Sequence, residues 1–197
     1  MEAVTGYLRG MGVEAVVTEE ALKDVFVAVA SELVIQLKGR SIDKIRLTSP
    51  DYMSCTTVSR IYRFQYEINL DKKLSREANR QINANTKTIR ENKKLGLFGG
   101  KVAAINWIGG ELADILNRDT DVLETLLDCT NLLGDPGFRV SVKDPSTVVI
   151  LGPRFVETRM ITELFRSGLK EQQRECVFGF NICDRIAKRV KDLVNSL

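Results

Sequence analysis

Apolar positions change their period several times along this chain. Thr18, placed as an N-cap, precedes Glu19 and Glu20 and then Leu22, Val25, Phe26, Val29, Ala30, Leu33 and Leu37. Steps of three and four residues predict an amphipathic helix over 19–38, closed by Gly39. A short strand is predicted before it, over 13–17. Another follows at 44–49, where Ile45 and Leu47 share a face ahead of the Pro50-Asp51 turn. Strict alternation then takes over. Tyr62, Phe64, Tyr66, Ile68 and Leu70 oppose Arg63, Gln65, Glu67 and Asn69, which predicts a half-buried strand of an antiparallel sheet.

The segment 72–94 reads differently. Leu74, Ala78, Ile82 and Ile89 form a thin helical stripe among bases and asparagines, so an exposed helix or connector is expected. Residues 95–110 are almost all apolar or small. Phe98, Val102, Ile105 and Ile108 fit a buried helix; the single Trp107 and the lysines before it also fit a membrane-contact segment. Helices are predicted over 111–117 and 121–133, the second with a capping box from Asp121 to Glu124 and a stop at Gly134.

Residues 138–143 alternate, Asp144-Pro145-Ser146 turns the chain, and 148–151 is a continuous apolar strand ended by Gly152-Pro153. The remainder reads as helix. Val156, Met160, Ile161, Leu164 and Phe165 form one face. Cys176, Val177, Phe180, Cys183, Ile186, Ala187, Val190, Leu193 and Val194 form the next.

Together these patterns predict an α+β fold: an antiparallel sheet of about four to five strands packed against several helices, helix-rich overall. At 197 residues the chain suits one domain. Ile45-Arg46-Leu47-Thr48-Ser49-Pro50-Asp51 echoes Val140-Ser141-Val142-Lys143-Asp144-Pro145-Ser146. The echo suggests two α-β-β halves, 1–70 and 111–197, joined by the basic helix and the Gly-rich segment of 71–110.

Composition narrows the chemistry. There is no histidine, which removes His-ligated metals, Ser-His and Cys-His catalysis and histidine pH switches. Cys55, Cys129, Cys176 and Cys183 show no close pair, so four reduced thiols, no metal and no cofactor are expected. No leader-like stretch or run of about 20 apolar residues appears, which predicts a cytoplasmic protein, with peripheral membrane contact the one extension. Leu95-Gly96-Leu97-Phe98-Gly99-Gly100-Lys101 is not a phosphate loop. Leu95 stands where the first glycine belongs, and Val102 where the magnesium-holding hydroxyl belongs.

The net charge of +3 is mild, but its distribution is not. Residues 72–101 hold nine bases and two acids, while 111–128 hold six acids and one base. The candidate partner-binding residues are therefore Lys87, Arg90, Lys93, Lys94, Leu97, Phe98, Lys101 and Trp107. They point to a non-enzymatic interaction or regulatory protein that meets an anionic membrane surface or a protein partner, a second copy of the chain included. The first alternative is nucleic-acid binding through 72–101, although the polar part of that stretch lacks aromatics on which bases could stack. The second is an enzyme with a carboxylate site drawn from Asp114, Asp119, Asp121, Glu124 and Asp128, although no nucleophile and base can be paired.

Overall fold

The structure, a computed structural model, describes residues 9–10, 12–21, 31–49, 51–53, 58–90, 102–133, 137–156 and 179–197. Its longest strand grows from the plainest alternation. In β5 (Val58–Asn69), Phe64, Tyr66 and Ile68 point to one side and are buried, while Gln65 and Asn69 point to the other. The other strands are β1 (Ala15–Ala21), β2 (Ser31–Leu37), β3 (Lys44–Ser49), β4 (Asp51–Met53), β6 (Ala84–Arg90), β7 (Val102–Gly109), β8 (Arg139–Asp144) and β9 (Thr147–Val156). All pair antiparallel in the order β1-β2-β3-β5-β9-β8-β6-β7, with β4 on β5 off that path.

Register explains how so many strands hold one core. Ile35, Ile45, Tyr66, Ile150, Val140 and Ala84 are successive partners across six strands, and each is essentially inaccessible to solvent. On this face lie helices α1 (Arg76–Ile82), α2 (Glu111–Asn117), α3 (Thr120–Leu133) and α4 (Phe180–Ser196). Helix α4 buries Phe180, Cys183, Ile186, Ala187, Val190, Leu193 and Val194 at helical spacing. Burying such side chains contributes roughly 1.5–3 kcal/mol each, before the entropy of ordering them is subtracted.

Tight backbone packing joins the last part of the sheet to the helices. Gly110 donates its N–H to the Asn83 carbonyl at 2.8 Å and accepts from Ala113 N–H at 2.9 Å, so it both ends β7 and begins α2. A Cβ on Gly110 would stand 2.2 Å from the Arg80 carbonyl oxygen, so only glycine fits where β7 passes the end of α1.

Several expectations need correction. Among the described residues the sheet has nine strands rather than about four to five, and the fold is not helix-rich: four helices stand beside them. Much of the expected helix 19–38 is strand, in β1 and β2, while residues 22–30, with Phe26, lie outside the described residues. Leu33 and Leu37 fit a helical step of four, but Leu33, Ile35 and Leu37 also fit a strand. Pairing of β2 with both β1 and β3 selects the second reading. Gly39 does take the left-handed conformation expected of it, φ +68°, but it does so between β2 and β3.

The thin stripe of 72–94 divides. Ala78 and Ile82 are buried in α1, capped by the Ser75 hydroxyl, and the chain then becomes β6. The apolar segment before Gly110 is strand β7 over 102–109, not helix. Helix α3 starts one residue before the expected box, and its cap is Asp119, whose Oδ1 accepts from Val122 N–H at 3.4 Å. Strand β9 continues through Gly152 and Pro153 to Val156. Cys129 is disulfide-bonded, so the expectation of four reduced thiols fails; Cys183 is buried and in no disulfide. No helix among the described residues is long and apolar enough to cross a membrane. The helical faces expected over 156–165 and at Cys176 and Val177 lie outside the described residues, apart from Val156 at the end of β9.

Candidate functional site

Alternation that sends Tyr66 and Ile150 into the core sends their neighbours to the opposite face of the sheet. Lys44 pairs with Glu67, Glu67 with Val149, and Val149 with Ser141; one step along, Arg46, Gln65, Leu151 and Arg139 form the next row. Asn85 and Ile108 continue that second row across β6 and β7. Among the described side chains this face carries Lys44, Arg46, Lys87, Arg139 and Lys143 against the buried Glu67.

Glu67 organises the centre of the face. Its Oε1 accepts from Lys143 Nζ at 2.7 Å, Arg46 Nε at 2.9 Å and Gln65 Nε2 at 3.0 Å, while Lys44 Nζ lies 3.8 Å from Oε2. Burial alone would raise this carboxyl. The Lys143 hydrogen bond and the Arg46 charge outweigh that effect and hold it below the usual glutamate value. Glu67 therefore fixes cationic side chains in place.

The β6–β7 hairpin forms the outer part of the face. Asn85 stands opposite Ile108, Lys87 opposite Asn106, and Ile89 opposite Ala104. Ile89 is 45% exposed and Ile108 is 51% exposed, with the exposed Lys87 between their rows. The two strands are joined through residues 91–101, so the basic and apolar stretch singled out from the sequence is the hairpin connection. Arg90 ends β6. Lys93, Lys94, Leu97, Phe98 and Lys101 lie outside the described residues.

Trp107 belongs to the core. It is 2% exposed and faces the helices. Its backbone is held by the Asn117 side chain, which accepts from Trp107 N–H at 2.7 Å and donates to Trp107 O at 2.9 Å. Asn117 thus stands in for a neighbouring strand on the outer edge of β7.

Of the acids of 111–128, Asp119 and Asp121 are paired with arginines of α4. Asp119 is buried and receives Arg185 Nε at 3.0 Å and Arg189 Nε at 3.1 Å, with Arg185 also 2.6 Å from Asp121. Burial opposes its ionisation, but hydrogen bonds from Arg189 and Arg185 hold it below the usual aspartate value. Asp114, Glu124 and Asp128 are exposed, and no three acid or thiol groups among the described residues could hold a metal.

Sequence reasoning missed Glu67, Arg46, Lys143 and Lys44 as one cluster, because register rather than spacing brings them together. The alternation of β5 did place Glu67 on the side away from Tyr66. No family model, curated protein or solved structure matches this chain.

Proposed function

We propose that the protein is a non-enzymatic binding module that meets an anionic membrane surface with the outer face and connection of its β6–β7 hairpin. One observation supports this reading above the others: Lys87, Ile89 and Ile108 are exposed together on the face away from the helices. The sequence carries the same mixture forward through Arg90, Lys93, Lys94, Leu97, Phe98 and Lys101. Each lysine near an anionic surface contributes on the order of 1 kcal/mol, and apolar insertion adds roughly 25 cal/mol per Å². Trp107 has no part in this contact.

The test is co-sedimentation with anionic and neutral vesicles. Binding is expected to anionic vesicles only, weakened by salt and by Ile89→Ser, Phe98→Ser and Lys93→Glu with Lys94→Glu. Trp107 emission should stay unchanged on binding, because the indole is already shielded. Failure to bind anionic vesicles at low salt would sink the reading.

Nucleic acid is the second reading, favoured by Arg139, Lys143, Lys44 and Arg46 on the same face. It ranks lower because the described side chains of that face include no aromatic on which a base could stack. It predicts that charge reversal removes binding while Phe98→Ser and Ile89→Ser leave it unchanged.

A further inference from the structure

Away from the hairpin, the polar side of α4 borders a second concave surface. Ser41, Asn181, Asp184, Arg185, Lys188 and Arg189 line an open cleft of about 370 Å³. Positions 181, 184, 185 and 188 recur at helical spacing, so one stripe of α4 faces the loop between β2 and β3. That loop is fastened to the helix: Asp184 Oδ1 accepts from Ser41 N–H at 2.9 Å and from Ile42 N–H at 3.3 Å. Among the described residues, the only carboxylate lining the cleft is therefore already engaged in building its wall.

The cationic side is prearranged. Both guanidiniums are gripped by Asp119, whose side chain is 2% exposed, while Arg185 and Arg189 themselves are 42% and 39% exposed. Their planes are held before any ligand arrives, which removes much of the ordering cost that flexible arginines bring to binding. Arg185 spends Nε, Nη1 and Nη2 donors on Asp119 and Asp121, and Arg189 spends Nε and Nη2 donors on Asp119. Each guanidinium carries five N–H groups, so further donors remain on both. Lys188 is exposed and makes no ion pair among the described residues. Neither Asp119 nor Asp121 lines the cleft.

We infer that this cleft binds the phosphate group of a small phosphorylated ligand, with Arg185, Arg189 and Lys188 as its donors. Three cations with planar and point-charge donors match a tetrahedral oxyanion, and the volume exceeds what a bare ion needs, leaving room for the group that carries it. The site stands on different elements from the hairpin and does not depend on the membrane reading.

The test uses the full chain with inorganic phosphate and pyrophosphate, against chloride at equal ionic strength. Melting temperature should rise with either phosphate and not with chloride. Calorimetric affinity should fall about tenfold in Lys188→Ala, an exposed change that leaves the Asp119 grip intact, and should be unchanged in Lys73→Ala. The chain has no histidine, so affinity for inorganic phosphate should climb near about pH 7 with the second ionisation of phosphate itself. Vesicles of phosphatidic acid distinguish the source. If Lys188→Ala weakens vesicle binding while soluble phosphates have no effect, the phosphate is a lipid headgroup's. No response to phosphate in either form overturns the inference, as does binding that survives Lys188→Ala but needs Lys93 and Lys94.

Discussion

Two buried carboxylates hold very different parts of the molecule, and both are spent on cations. Glu67 ties β3, β5 and β8 on one side of the sheet; Asp119 ties the start of α3 to α4 on the other. Neutralising Glu67 by Glu67→Gln leaves Arg46, Lys143 and Lys44 facing one another without their counter-charge. The expected cost is about 2–4 kcal/mol, read from urea unfolding, because breaking a buried pair from one side strands the other. The pH dependence follows from the direction of both shifts. Each carboxyl binds its proton less readily when folded than when unfolded. Their contribution is therefore present above the unfolded value, roughly pH 4, and is lost as pH falls through the lower folded values. Melting temperature should stay level from neutrality to about pH 5 and drop below about pH 4, with a shallower drop in Glu67→Gln.

Among the elements, Gly110, which joins β7 to α2, is closely confined by backbone. Gly110→Ala would drive a methyl into the carbonyls of Arg80 and Gln81, at 2.2 and 2.5 Å, and backbone cannot swing aside as a side chain does. A loss of about 3 kcal/mol or more is expected by chemical denaturation, at the upper end of overpacking costs. Gly39→Ala, at φ +68° but with nothing within 4 Å, should lose only about 1 kcal/mol from backbone strain. Equal losses at the two positions would contradict the packing of β7 against α1.

Which elements the sequence reveals follows the same physics. β5, the β8–β9 hairpin around Pro145, and helices α2, α3 and α4 are legible because each repeats one period without a rival. β2 and β6 are not. Leu33, Ile35 and Leu37 satisfy two periods. Ala84–Arg90 exposes Lys87 and Ile89 on one side and is a strand because β7 and β8 flank it. The phosphate cleft left no local signature either, since Ser41 meets Asp184 only through the tertiary fold.

At the scale of the whole molecule, the β5–β9 ladder has a consequence for how the chain leaves the ribosome. Ile68 pairs with Val148, and Tyr66 with Ile150, so a strand made early waits for a partner made late. Translation at roughly 5–20 residues per second puts about 4–16 seconds between the two. During that interval β5, with Phe64, Tyr66 and Ile68, offers an unsatisfied edge in mid-sheet, a template for pairing with another nascent chain on the same polysome. A chain stopped at residue 145, lacking β9, should therefore collect in the insoluble fraction. The full chain should yield more soluble protein when a holdase chaperone shields nascent chains or when synthesis is slowed only after residue 156, not between 70 and 147.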